Sequence, residues 1–467
     1  MEAGMRVAVI GVGYVGLVSG ACFAQFGHHV HCVDKDPQRI AALCAGRMPI
    51  YEPHLDALVA DNVAAGRLTF GTDLAAAVRD AEVVFIAVGT PARRGDGHAD
   101  LAHVFACCRD IAGAIQGYTV VVTKSTVPVG TGDRVEHIMR VVQPQGAFAV
   151  VSNPEFLREG AAIADFQHPD RIVIGTQDER ARAIMTNLYR PLAEAAVPLF
   201  FTTRRTAELV KYAANAFLAM KIGFVNEMAD LCERADADVA GVAYGIGLDR
   251  RIGAQFLQPG PGFGGSCFPK DIQALIKSAQ DYGVPSRIIE TVAAANEQRK
   301  RLMARRLIKA CGGSVRGLTI AVLGLTFKAD TDDVREAPAT SIITALEDEG
   351  AEIRAYDPQG MDQARTLMPD IAYATDPYSC VAGAHAVAIV TEWSMFRTLD
   401  LARLRARMAG PVLVDYRNII PAADATEAGF RHVGIGRRSV TAERPAPRIE
   451  LTQPQGAVLP ELAVAAG

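Results

Sequence analysis

The chain has 467 residues, half of them apolar, with 48 lysines and arginines against 52 aspartates and glutamates. That length predicts about three domains, and near-cancelling charge without blocks of one sign excludes an electrostatic nucleic-acid or membrane binder. No apolar run approaches the roughly 18 residues of a membrane span, and the N-terminus enters a strand pattern near Met5 without the features of a signal peptide, so a cytoplasmic protein is expected.

From residue 5 to about 151, short β-branched runs alternate with amphipathic helical stretches, the clearest strands being 7–10, 30–33, 83–88 and 120–123. That alternation predicts a parallel sheet with helices on both faces, a doubly wound α/β unit. The first strand leads into Gly11-Val12-Gly13-Tyr14-Val15-Gly16 and then a helical pattern, and Asp34 ends the second strand 18 residues after Gly16. Glycines let a dinucleotide pyrophosphate approach the backbone and the helix N-terminus. Asp34 is expected to accept hydrogen bonds from the adenosine ribose and to repel a 2′-phosphate, which favours NAD over NADP. Thr90, in Val88-Gly89-Thr90-Pro91, and Thr126, in Ser125-Thr126-Val127-Pro128, end further strands where ligands of open sheets bind. A hydroxyl at such a place serves equally as a helix cap. Asn153 as cap and Pro154 at the first position predict a short helix carrying Glu155 and Glu159 four residues apart. Carboxylates in a first turn can also serve the helix dipole alone.

A helical period from about 203 to 235 is long for a globular helix; it would join two nucleotide domains and offer a face for dimerisation. Lys211 and Asn215, four apart, share a face there with Ile222, although a lone lysine is usually a solvated one. The run Pro261-Gly262-Phe263-Gly264-Gly265-Ser266-Cys267-Phe268-Pro269-Lys270-Asp271 delivers a thiol on a glycine-rich backbone beside an ammonium that favours the thiolate. The other eight cysteines, without a C-x-x-C pair, are expected to be small buried apolar residues, with neither a disulfide framework nor a metal site. A second α/β series starts near 318, with strands at 318–323, 353–356, 386–390 and 412–415. Lys328 and Arg335 follow its first strand, where an anion would meet a strand end. Beyond Gly436 the sequence loses periodicity and is expected to be a disordered tail. The expected architecture is therefore α/β, with two doubly wound Rossmann-like domains joined by a long central helix. Its parts are a dinucleotide-binding domain over 1–202, a helical domain over 203–309 with a face for dimerisation, a second Rossmann-like domain over 310–436 and the tail over 437–467.

The segment around Cys267 resembles the active-site signature of the nucleotide-sugar 6-dehydrogenase family. Tyr51-Glu52-Pro53, the run Asn153-Pro154-Glu155-Phe156-Leu157-Arg158-Glu159-Gly160, the run from Phe327 to Glu336, Tyr356-Asp357-Pro358 and Thr391-Glu392-Trp393 match that family's pattern in order. The resemblance implies that 1–202 binds NAD, that 203–309 is the dimerisation and active-site domain and that 310–436 binds the UDP-sugar, with Cys267 as nucleophile, Lys211 and Asn215 handling the substrate hydroxyl and its oxyanion, Asp271 orienting water, Glu155 as general base, and Thr126 among the catalytic residues. It implies cofactor contacts at Gly11, Gly13, Tyr14, Val15, Gly16, Asp34, Lys35, Thr90, Thr126, Glu159, Lys270 and Arg335. Substrate contacts are implied at Glu155, Phe156, Leu157, Lys211, Asn215, Phe256, Gly264, Phe327, Lys328 and Arg417, with Arg251 reaching the diphosphate across a homodimer interface.

The reaction so implied oxidises UDP-glucose to UDP-glucuronate in two NAD-dependent hydride transfers, through a thiohemiacetal and a thioester on Cys267 and then hydrolysis. GDP-mannose or an N-acetylated UDP-hexose is the alternative substrate. A two-electron hydroxy-acid dehydrogenase and a non-catalytic nucleotide-sugar sensor are the more distant readings. His54 stands where the family often has glycine, which is expected to alter one turn, and none of the ten histidines falls at a matched catalytic position.

Overall fold

The structure, a computed structural model, describes residues 4–93 and 95–437; apart from Arg437, the expected tail lies outside the described residues. The chain divides into two compact units. The first is the chain up to Ala216 with Lys270–Ser286, and the second is Phe217–Pro269 with the described chain from Arg287 onward.

The first unit is built on eight strands: β1 (Arg6–Ile10), β2 (His29–Val33), β3 (Leu68–Gly71), β4 (Val83–Ile86), β5 (Thr119–Thr123), β6 (Phe148–Ser152), β7 (Ile172–Gly175) and β8 (Leu199–Thr202). They pair in the order β3-β2-β1-β4-β5-β6-β7-β8. Six run parallel, with Val9 facing Cys32 on β2 and Phe85 on β4. Such strands read as continuous apolar runs because helices cover both faces. On one face Phe23 stacks on Phe85 and meets Phe166 edge-on, both at 5.0 Å between centroids. The other face holds Ile86, Val104, Val121 and Met139.

The six strands up to Ser152 are parallel as expected, and β7, which lies beyond the stretch for which a parallel sheet was expected, meets β6 antiparallel at Ser152 and Gly175. Apolar patterning reports that a strand is buried, and burial is the same in either direction, so the reversal has no local signature.

The second unit carries β9 (Thr319–Leu323), β10 (Glu352–Tyr356), β11 (Ala372–Tyr373), β12 (Ala386–Ile389), β13 (Val412–Asp415) and β14 (Arg431–Val433). All its pairs are parallel, in the order β11-β10-β9-β12-β13-β14. Both sheets therefore contain the dinucleotide-fold order 3-2-1-4-5-6, and each reverses direction beside its first strand, where such folds open a crevice at the carboxyl ends. This is the expected pair of doubly wound units.

The long helix spans Arg204–Ala235. It contains no proline, and it stops where Asp236 takes φ 58°, a left-handed residue that ends a helix. Among the described residues no helix is long and apolar enough to cross a membrane.

The turn into the helix Leu55–Ala64 keeps its left-handed residue although His54 occupies it, at φ 67° and ψ 3°. Its side chain is exposed, so the backbone strain is not offset by side-chain burial. The left-handed conformation costs a non-glycine residue roughly 1–2 kcal/mol, and glycine's extra chain entropy returns about half of that. His54→Gly should therefore stabilise the chain by about 0.5–1 kcal/mol, read as a higher urea midpoint at constant slope. A lower midpoint would mean that the histidine side chain itself holds the turn.

Candidate active site

Beyond β1, two of the three glycines are demanded by close backbone and the third leaves room for a ligand. Gly11 takes φ +100°, and a Cβ on it would lie 2.7 Å from the Ala87 carbonyl oxygen. One on Gly16 would lie 1.8 Å from the Gly11 oxygen, so both positions are closed by backbone. Gly13 has nothing within 4 Å of its Cβ position, and it precedes the helix Tyr14–Gln25 without any side-chain cap. Open space against a helix N-terminus is the cradle that a pyrophosphate needs.

Asp34, just past β2, fixes this loop by accepting from Val12 N at 3.0 Å and from Asp36 N at 3.0 Å. Arg39 lies 3.4 Å from the same carboxylate. The residues present fit NAD. Val15 is half-buried and Lys35 is exposed beside Asp34.

The Tyr14 hydroxyl donates to Glu52, and Glu52 also accepts from Gly160 N and Ala162 N, each at 2.7 Å. Burial first, and then the Glu52 charge, push the Tyr14 phenol far above its ordinary pKa. Glu52 thus ties the dinucleotide loop to the segment that bears Glu159. The sequence showed Glu52 only inside a matched motif, with no sign of this role.

The expected helix over Glu155 and Glu159 is not formed. Residues 153–158 are irregular, and the next helix is Ala162–Gln167. Asn153 does not cap it because its side chain is spent elsewhere: Nδ2 donates to Val173 O at 2.7 Å, and Oδ1 accepts from Tyr189 and Lys124 at 2.6 and 3.1 Å.

Glu155 is buried, with Oε1 3.0 Å from Lys211 Nζ and Oε2 accepting from Leu157 N at 2.6 Å. The Lys211 ammonium also lies 5.4 Å from the Phe156 ring centre. One turn along the long helix, Asn215 Nδ2 donates to Asp271 Oδ2 at 2.7 Å, and Lys270 Nζ donates to Asp271 Oδ1 at 2.6 Å. The side chains of Lys211 and Asp271 are 4% and 1% exposed, so neither is an ordinary solvated charge.

One turn before Lys211, Glu208 accepts from Gly130 N and Gly132 N, each at 2.7 Å, and from Ser152 Oγ at 3.0 Å. It caps the helix Thr131–Val142 from another element, and burial pushes its carboxyl up. Thr123, Ser125, Thr126, Ser152, Glu208 and Lys211 line a cavity of about 10 Å³, the size of one water. Thr90 Oγ1 donates to the Thr126 carbonyl at 2.9 Å rather than capping a helix.

In the second unit the cysteine segment is moulded onto the loop after β9. A Cβ on Gly264 would lie 2.3 Å from the Glu336 oxygen, and one on Gly265 would lie 2.9 Å from the Phe327 ring. Gly265 N donates to Arg335 O at 2.9 Å and Ser266 N to Asp333 Oδ2 at 3.1 Å. Asn296 clamps both polar groups of Phe263, at 2.8 and 3.0 Å. Cys267 is half-buried, with Sγ 3.6 Å from Ser266 Oγ, and the Phe256 and Phe263 rings stand about 6 Å from that of Phe268.

Not all the other thiols are core residues as expected: Cys44 is exposed, and Cys107 and Cys311 are half-buried. These three sit near helix surfaces, where a small apolar residue is tolerated. Burial pushes Cys22, Cys32, Cys108 and Cys380 up to about 12.

Arg417 donates to Val390 O at 2.8 Å and Phe327 O at 2.9 Å, bracing the strand-end loop. Lys328 Nζ lies 5.9 Å from the Phe327 ring centre. Arg335 is paired with Asp333, and Arg251, 90% exposed, with Asp249.

The chain matches three models of the UDP-glucose/GDP-mannose dehydrogenase family in succession: the NAD binding domain over residues 5–193, the central domain over 205–298 and the UDP binding domain over 321–422. It is 60% identical to a UDP-glucose 6-dehydrogenase of Rhizobium meliloti, an alignment covering 93% of this chain and all of that one. A UDP-glucose 6-dehydrogenase of Pseudomonas aeruginosa is 46% identical over 93% of this chain and 98% of its own. The solved UDP-glucose dehydrogenase from the archaeon Pyrobaculum islandicum superposes with a TM-score of 0.86 at 39% identity, over 93% of this chain and 99% of that one. Three consecutive domain models and relatives aligned over nearly their whole length leave one assignment: the chain belongs to the UDP-glucose/GDP-mannose dehydrogenase family.

Proposed function

We propose that the chain oxidises the 6-hydroxyl of UDP-glucose to a carboxylate, giving UDP-glucuronate, with Cys267 as the covalent carrier. The observation that carries this reading is the buried polar stripe of the long helix, where Lys211 is matched to Glu155 at 3.0 Å and Asn215 to Asp271 at 2.7 Å. Buried charge without a partner is expensive, and pairs of this kind concentrate where chemistry needs them. UDP-glucose is favoured over a sibling sugar because the relatives at 60% and 46% identity carry that substrate in their names, whereas a solved UDP-D-ManNAc dehydrogenase of Pyrococcus horikoshii is only 27% identical.

NAD, when bound against Gly13 and Asp34, supplies the hydride acceptor for each of the two oxidations. The O6 proton leaves to Glu155, which passes it on to solvent before the hydrolysis, while Lys211 and Asn215 stabilise the developing oxyanion. The Cys267 thiolate then adds to the aldehyde carbon, forming the C–S bond of a thiohemiacetal. Loss of the second hydride leaves a thioester. Water, deprotonated by Glu155 and oriented by Asp271, attacks its carbonyl, and the thiolate departs as the carboxylate forms. Phe156, Leu157, Phe256, Gly264, Phe327, Lys328 and Arg417 are assigned to the substrate and its nucleotide, and Thr126 to the catalytic group and the cofactor. Tyr14, Thr90, Glu159, Lys270 and Arg335 are assigned to the cofactor side.

The active form is read as a homodimer. Phe217, Phe224 and Leu231 recur every seven residues on the long helix and are 57%, 49% and 56% exposed, an apolar stripe that a second copy would cover. The region 203–309 is the dimerisation and active-site part, and Arg251 is assigned to the partner's diphosphate. Nine cysteines, none in a disulfide, suit a reducing cytoplasm.

Cys267→Ser should lower steady-state turnover by about a thousandfold or more, while the parent enzyme releases two NADH per UDP-glucose and no aldehyde. One NADH per sugar, or near-normal turnover of the serine variant, would make the thiol structural. Asp34→Ala should lower kcat/KM with NAD much more than with NADP, since it removes both the ribose acceptor and the charge that repels a phosphate. An unchanged ratio counts against that role. Phe224→Asp should shift the species seen by light scattering from dimer to monomer, and a dimer that survives it would place the interface elsewhere.

A further inference from the structure

Lys124 is a charged group for which the reaction, as read above, has no use. It follows β5 directly and is 4% exposed. Its ammonium is 5.9 Å from the Phe85 ring centre and 5.8 Å from those of Phe166 and Tyr189. Among the described residues it donates to two oxygens, Asn153 Oδ1 and the Tyr189 hydroxyl, each at 3.1 Å. Burial in this apolar surround lowers its pKa to about 8. A methionine would fill the same space without a charge to desolvate, and replacing buried charge by apolar volume is often neutral or stabilising. A lysine here calls for a return other than stability.

The contacts show where that return lies. Asn153 is fully buried and held from three sides, by Lys124, by Tyr189 and by the Val173 carbonyl. Its own N–H donates to Thr123 O at 3.0 Å, which makes it the last residue of this stretch in register with the sheet. The chain beyond it, residues 153–158, forms neither strand nor helix, so its course is set by the residue at its root. Pro154 stiffens the next step. Glu155 follows, 3.0 Å from Lys211. The Lys124 charge also acts on both of these groups, since Glu155 stabilises its protonated form and Lys211 opposes it. The order is cation, anion, cation.

We infer that Lys124 is a positioning residue for Glu155: its buried ammonium locks Asn153, and through Asn153 and Pro154 aims the Glu155 carboxylate at Lys211. The inference rests on the reading of Glu155 as the base of the reaction. It adds to that reading the group that holds the base in place.

The test uses the full chain with NAD and UDP-glucose. Lys124→Met should lower kcat about 10- to 100-fold, the scale of a misplacement of about 1 Å. KM for UDP-glucose should move less than about threefold, NAD affinity measured by binding should stay within about twofold, and the melting temperature should hold or rise. Combined with Glu155→Gln, it should add no further loss, because both changes disable one device. Turnover within about twofold of the parent, or losses that multiply in the double variant, would overturn the inference. If Glu155→Gln alone leaves turnover normal, the reading of Glu155 fails first and takes this inference with it. If Glu155→Gln is slow and Lys124→Met is normal, Lys124 alone is excluded. Should the methionine chain not fold, Tyr189→Phe removes one of the two oxygens on the ammonium. A severalfold fall in kcat at an unchanged melting temperature supports the role, and an unchanged kcat overturns it.

Discussion

A buried ion pair sets the terms for the first unit. Lys211 and Glu155 lie 3.0 Å apart with side chains 4% and 5% exposed, and removing either would strand the other in a medium that solvates charge poorly. The lysine must therefore sit on an element that cannot drift, and the long helix provides it. The glutamate must arrive from a strand end, because 153–158 has no regular structure of its own. Glu208 and Asn215 extend the same face of the helix, so three consecutive turns present an acid, an ammonium and an amide to one side. Each has a polar partner on another element, which lets an otherwise apolar interior tolerate them.

The same sheet order in both units explains why the candidate site residues gather at particular loops. Side chains at the carboxyl ends of parallel strands face a crevice rather than a packed layer, and the reversal beside β1 or β9 opens that crevice widest. Gly11, Asp34, Thr90, Thr126 and Glu155 follow strands of the first sheet, whereas Phe327, Lys328 and Arg417 follow strands of the second.

Much of this was legible in the sequence because it rests on local chemistry. The strand, glycine turn and Asp34 signal a dinucleotide loop within thirty residues. The long helix began and ended within one residue of its apolar period, since nothing in 204–235 interrupts it. What escaped depended on distant partners. Asn153 and Pro154 have the local pattern of a helix start, but three side-chain hydrogen bonds from other elements take the asparagine away from capping. Glu52, Lys124 and Glu208 resemble surface charges when read alone. Each earns its place through residues at least 29 positions away. The antiparallel β7, on which the sequence supported no expectation, has no local signature either, because strand direction belongs to the sheet.

The fit of the cysteine segment to the loop after β9 has a consequence for how such a chain can vary. Gly264 touches backbone of the 327–336 loop, Gly265 abuts the Phe327 ring and Ser266 N is held by Asp333. Neither stretch can change its path alone, since a side chain on Gly264 would collide with a carbonyl that cannot rotate away. The two behave as a single cassette divided by about sixty residues of sequence. A chimera that took residues 261–267 from one relative and 327–336 from another would inherit a mould and a cast that do not match, whereas transplanting both together carries the geometry around Cys267 intact.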